Sequence, residues 1–469
     1  MLNAKGSRRS ALALGWMALA GLWATAAAIE PARADGDGVT LREEPDGRGA
    51  TAARIDLRAT GLFRPDLPPD EKTSEAKMPK PLDIDIQTRI IFRERRLDDA
   101  EGRPKAIRLV SQAASAINGE VRPTAHQLRE ELSVLIVERA DDGGHVVAVS
   151  PSGSLTRAEL ELAQGVGDPL CLPSLLPDGP VSKGDAWPLS RAGVMTITGY
   201  EAVESSKVEA EVESITDDRA VIVLRGEAKG TVLKASGTMT IEGRLEFDRK
   251  AALIDQIELN RTETRQPGPI EAGLDLKSTL RIVRRPTAVP SELADEALKD
   301  LSLEITPARK LLQLIAPDGR YDLLHDRTWH TYWDDSKLIV LKRFEPDKDR
   351  VTAQCNFTYG PQAGKGKHQD VQQFRDDVRK AMGDRFSQFL GAGEVDPGDG
   401  GGFRYKLGVQ GREGELGVLW FYYLIASPAG DQLLATFTLA DSDAVHFAQE
   451  DENLIGTLRW NDPPLAVKP

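Results

Sequence analysis

The chain has 469 residues and a net charge of −13, with 73 acidic against 60 basic side chains. An acidic surface repels phosphate backbones and anionic headgroups, which excludes nucleic acid as a favoured partner. The length argues for about two to three domains, and two cysteines, Cys171 and Cys355, are too few for a disulfide framework. Each is expected to be a small buried hydrophobe.

Taken from the start, Lys5, Arg8 and Arg9 precede an apolar run over residues 11–28, and Ala32-Arg33-Ala34 follows. That is the layout of a cleavable signal peptide over residues 1–34. "SRRSALALG" leaves both a Sec and a twin-arginine route open. Cleavage removes four cations and one acid (Glu30), moving the net charge to −16. The mature protein is then expected to be periplasmic or extracellular, monomeric and without a stable membrane span. The alternative is a retained anchor.

Residues 35–80 are rich in Asp, Gly, Pro, Lys and Glu and read as a flexible lead-in. Residues 81–286 read as a β-rich domain. "DIDIQTRIIFRER" and the segments after it alternate with period two, as strands with one wet face do. "SLTRAELELA" interrupts them as a short helix, with Ser154 as the expected N-cap. A turn-rich loop around Leu175, Leu176 and Trp187 comes next. Five or six further strands then recur between turn residues, from "KVEAEVESIT" to "DLKSTLRIVRR". The spacing predicts an antiparallel meander or a barrel-like domain. Its expected core is Val208, Val212, Val221, Val223, Ile241, Leu245, Ile254, Ile257, Leu259, Leu280 and Ile282.

Residues 287–311 read as a linker with a short helix capped by Ser291. The rest, residues 312–463, mixes strands with a helix in "QDVQQFRDDVRKAMGDRFSQFL", where Val371, Phe374, Val378, Met382, Phe386 and Phe389 recur at helical steps. A last helix is expected in "DSDAVHFAQEDENLIGTLRW". The overall fold class is therefore α+β, mostly β.

"HDRTWHTYWDD", residues 325–335, is the densest cluster of histidine, aromatic and acidic side chains. On a strand, Trp329, Thr331 and Trp333 share one face, and His330, Tyr332 and Asp334 the other. The tryptophans then belong to the core, and the other three form a candidate surface. His330 and Asp334 lie about 13 Å apart along an extended strand at ~3.3 Å per residue, too far for one small ion.

"APDGRYDLLHDRTWHTYWDD", "VTAQCNFTYG", the helix from Gln369 and the late hairpins "VLWFYYLIAS" and "QLLATFTLA" resemble the PsbP-like family. The resemblance covers about a third of the chain. It implies an α/β/α sandwich around an antiparallel sheet, a docking module of exported or lumenal proteins, and it transfers no catalytic residue. The whole chain is also similar to secreted protein families of environmental bacteria such as planctomycetes.

No His-Glu-x-x-His, paired Cys-x-x-Cys, Gly-x-Ser-x-Gly or phosphate-loop pattern occurs. "DPGDGGG" offers Asp396 and Asp399 without a calcium-loop register. No cofactor or metal is expected. Three readings follow. The first is a non-enzymatic envelope protein that binds a protein partner or organises the cell surface. The second is a carrier with an apolar ligand or lipid inside the N-terminal β domain. The third is a hydrolase with an interdomain site.

Overall fold

The computed structural model describes residues 38–43, 49–64, 80–97, 103–345, 350–398 and 401–461. The expected signal peptide and Asp399 lie outside the described residues.

Period-two sequence builds thirteen strands: β1 (Ala50–Arg64), β2 (Leu82–Leu97), β3 (Lys105–Gly119), β4 (Thr124–Gln127), β5 (Val134–Arg139), β6 (Val146–Val149), β7 (Ala186–Pro188), β8 (Ala202–Ser206), β9 (Glu209–Ile215), β10 (Arg219–Val232), β11 (Ala235–Asp248), β12 (Leu253–Arg265) and β13 (Gly273–Thr287). They form one antiparallel sheet in the order β6-β5-β3-β2-β1-β13-β12-β11-β10-β9-β7, with β4 beside β3 and β8 beside β10. The two ends do not meet. The sheet is open, which decides between the meander and the barrel.

Register explains its two faces. Ile90, Ile55, Ile282, Ile257 and Leu245 lie side by side across five strands and are all buried. On the opposite face, Arg89 meets Asp56 at 2.6 Å, Arg281 meets Glu258 at 2.5 Å and Arg244 meets Glu213 at 2.6 Å. Cross-strand pairs of opposite charge keep that face wet without like-charge conflict. The expected core positions are buried except Val223, which is half-exposed because Ala220, Ile222 and Leu224 take the inner face of β10.

The helices α1 (Arg157–Ala163) and α2 (Arg191–Thr198) cover the inner face, where Leu160, Leu162, Val194 and Ile197 join the sheet's aliphatic core. Inside it the Arg108 guanidinium bridges Glu94 at 2.8 Å and Asp168 at 2.7 Å. Each buried charge there has its counter-charge. Trp187 is half-buried, its indole N–H donating to the Leu175 carbonyl at 3.3 Å.

Two expectations change here. Within the expected lead-in, residues 50–64 form β1, seated between β2 and β13 in the middle of the sheet. Two of its inward residues, Ala53 and Ala59, are small enough to blur the hydrophobic period around Ile55. And α1 is capped by Thr156, not Ser154: Thr156 Oγ1 accepts from Glu159 N, while Glu159 Oε2 accepts from Thr156 N at 2.8 Å.

Beyond the sheet come α3 (Asp295–Leu298) and α4 (Pro307–Lys310). Ser291 starts a 3-10 turn without capping it through its side chain; Thr306 caps α4. Then follow β14 (Leu312–Ile315), β15 (Tyr321–His325), β16 (Trp329–Asp334), β17 (Leu338–Glu345), β18 (Arg350–Gly360), α5 (Val371–Met382), β19 (Phe386–Glu394), β20 (Phe403–Glu413), β21 (Leu416–Ala426), β22 (Gln432–Ala440), α6 (Ala444–Phe447), α7 (Glu450–Gly456) and β23 (Arg459–Trp460). A seven-stranded sheet runs β16-β17-β18-β22-β21-β20-β19, and β14-β15-β23 form a small separate one.

Helix α5 lays Phe374, Val378 and Met382 on Leu407, Val409, Trp420 and Leu424 of the seven-stranded sheet. The opposite face is closed by α6, α7 and the small sheet through Phe447, Leu454, Ile455 and Leu323. The helix ends at Gly383, whose φ of +53° suits glycine, so Phe386 and Phe389 belong to β19. Cys171 and Cys355 are both buried and free.

Candidate functional site

The stretch 325–335 is built by a turn and a bulge. Asp326 Oδ1 accepts from the Thr328 amide at 2.7 Å, which starts β16. Trp329 is 1% exposed and meets Phe437 and Phe447 edge-on at 6.1 and 6.4 Å. This tryptophan fills the core as its alternation predicts. The pairing then shifts, because Thr331 lies opposite Leu341 but Trp333 opposite Val340, which leaves Tyr332 as the extra residue. A bulge reverses the alternation beyond it. Trp333 is therefore turned out and 55% exposed, against the expectation that it packs beside Trp329. Its indole Nε1 donates to Asp335 Oδ2 at 2.9 Å, while Asp335 Oδ1 accepts from Lys337 N and Leu338 N. These bonds hold the Asp335 carboxyl below the usual range, the backbone amides first.

The three candidate residues each meet different neighbours. His330 packs edge-on against Phe344 at 6.5 Å. Burial pushes its imidazole down to about 3, with Arg157 and His325 adding to the shift and Asp326 opposing it. Tyr332 lies under Lys342, whose Nζ is 3.2 Å from the ring centroid and donates to the Pro269 carbonyl at 3.5 Å. Asp334 is exposed, and partial desolvation by nearby protein raises its carboxyl, with Arg122 and His126 opposing and Asp335 adding. Lys342 of β17 thus reaches the loop between β12 and β13 of the large sheet.

Alternation did not point to the side chains that anchor this seam. Arg157 Nη2 donates to the carbonyls of Arg327 at 2.6 Å and Trp329 at 2.8 Å, tying α1 to the start of β16. Arg327 reaches back to the Ala148 carbonyl at 2.7 Å. One turn beyond Arg157, Glu161 is open to solvent yet hemmed in by protein. Desolvation raises its carboxyl, Arg157 opposes, and Glu271 adds to the rise. Glu271 is itself raised by desolvation, with Arg265 opposing and Glu201 and Glu263 adding. Only the tertiary fold brings α1 near the β12–β13 loop; in sequence Glu161 is one acid among many.

The inner face of the large sheet has little room left. The cavity bounded by Ile55, Phe92, Arg108, Leu135, Leu162 and Asp168 measures about 10 Å³, which is space for one water. The inner cup expected for an apolar ligand is filled there by side chains from α1 and the sheet. A larger depression of about 510 Å³ lies among Arg58, Thr60, Glu242, Asn260, Lys277 and Thr279, and it is polar and open. Among the described residues no group of three or more His, Cys, Asp or Glu is placed to hold a metal ion.

No family model matches the chain, and no curated protein matches it. Among solved structures, PsbP of the cyanobacterium Synechocystis is similar over 32% of this chain and 93% of its own, at 17% identity and a TM-score of 0.25. A Bacteroides thetaiotaomicron protein is similar over 32% of this chain at 14% identity and a TM-score of 0.23, and the chain spans 48% of that protein's length. Lipovitellin is similar over 53% of this chain and 26% of its own, at 9% identity and a TM-score of 0.29. All three likenesses are weak and partial.

Proposed function

We propose that this is an exported, non-enzymatic envelope protein that binds a protein partner, and that the β16 edge carries the contact. The observation behind this reading is Trp333. An aromatic more than half exposed on an edge strand, oriented by its bond to Asp335, has the form of an interface anchor. Export rests on the N-terminal sequence.

A photo-crosslinker at position 333 in the source cells is expected to capture one dominant partner, whereas one at Val445, which is 86% exposed, is not. Trp333→Ala should then weaken binding of that purified partner by roughly tenfold or more. Equal capture from both positions, or an unchanged affinity, would end this reading.

A second reading, acid–base chemistry in the seam, is favoured by the raised carboxyls of Glu161 and Glu271. Hydrolysis of an ester, glycoside or peptide substrate that disappears in Glu161→Gln would support it.

A further inference from the structure

The far edge of the seven-stranded sheet, opposite β16, carries a second contact surface independent of Trp333. β19 ends the strand order and, among the described residues, pairs only with β20. Over Phe386–Glu394 its one charged residue is Glu394, and it has neither proline nor lysine. The chemical guards usual on edge strands are therefore absent, and the guard it does carry is a pair of bulges at Ser387 and Leu390. Leu390 is 49% exposed, and a Cβ added at Gly391 or Gly393 would meet nothing within 4 Å. The face of this strand is thus open around Leu390, Gly391 and Gly393.

Beside it, α5 presents two cations. The Arg375 guanidinium lies 5.0 Å from the Phe389 ring centroid and Arg379 5.3 Å from that of Phe386. Neither makes an ion pair among the described residues, and Arg375 Nε has no hydrogen-bond partner. The nearby Asp376 and Asp377 are engaged instead by Gln372, Gln373 and Gln369. Two guanidiniums without an ion pair among the described residues, over the last strand, select locally for negative charge. Their spacing is also specific. Four residues of helix rise ~6 Å, close to the ~6.7 Å between alternate residues of a strand.

We infer that β19 accepts an extended acidic segment of a partner protein as an eighth strand. Two acidic side chains of that segment, two residues apart, face Arg375 and Arg379. Backbone pairing supplies the contact, and the guanidiniums choose the sequence.

The test uses the full chain and three labelled twelve-residue peptides, read by fluorescence polarisation. One alternates Glu and Val, one alternates Lys and Val, and one is the Glu/Val peptide with alternate backbone nitrogens methylated. The Glu/Val peptide is expected to bind, with the other two weaker by roughly tenfold or more. A double charge reversal, Arg375→Glu with Arg379→Glu, should transfer the preference to the Lys/Val peptide. Should that variant fail to fold, the salt dependence on the unaltered chain decides, since binding must weaken above ~0.15 M salt. No binding of the Glu/Val peptide, equal binding of the Glu and Lys peptides, indifference to methylation or indifference to salt would each overturn the inference.

Discussion

His325 is 3% exposed, and its Nδ1 donates to the Asp326 carbonyl at 2.7 Å. Burial lowers its imidazole from 6.5 to about 4, with Arg157 assisting and the Asp326 carbonyl opposing. The folded ring is therefore neutral where the unfolded ring already takes up a proton. Stability is lost as pH falls from about 6.5 through about 4, by about 3 kcal/mol in total from this group. Urea unfolding across that range is expected to show the loss, and His325→Asn should flatten the slope; an unchanged slope would mean that the ring already titrates near its ordinary value in the fold. The histidine is visible in the sequence, but its shift is not, because it comes from burial beside β14 and from the charge of Arg157 on α1.

Among the elements, α1 shows how much the sequence already holds. Thr156 and Glu159 stand three apart, the spacing of a capping box, and both bonds form. Choosing Ser154 overlooked that pattern. Thr156→Ala is expected to cost about 1 kcal/mol in thermal or urea unfolding, and a loss near zero would show that tertiary packing alone holds the helix. Elsewhere local pattern misleads for a physical reason. Phe386 and Phe389 continue the helical spacing of α5 although Gly383 ends it, because bulges in β19 leave both rings beside α5. Bulges likewise defeat alternation at Tyr332, since one extra residue carries no signature of its own in the sequence.

At the scale of the whole molecule, the large sheet is tied to the small three-stranded one by a few side chains. Arg129 donates to both oxygens of buried Glu159 at 2.8 Å, to Gln313 Oε1 at 2.9 Å and to the Ser154 carbonyl at 2.8 Å. Gln313 donates in turn to Asp322 at 3.1 Å, and Leu312 is buried in the core of the large sheet. Arg129→Ala strands the Glu159 carboxylate and should cost about 3 kcal/mol. Limited proteolysis is then expected to cut faster between residues 287 and 311. Unchanged cleavage would mean that apolar contact alone holds the sheets together.

The sequence by itself determined the mostly-β class, the position of most strands after residue 81, the α5 stripe and most of the core, because these follow from side-chain periods of two and 3.6 residues that each element carries internally. Only the tertiary structure decided that the large sheet stays open, that β1 lies at its centre, that Trp333 turns outward, and that Arg157 ties α1 to the start of β16. Those outcomes depend on which strand edges find each other and on single-residue shifts of register, and both are properties of contacts between segments far apart in the chain.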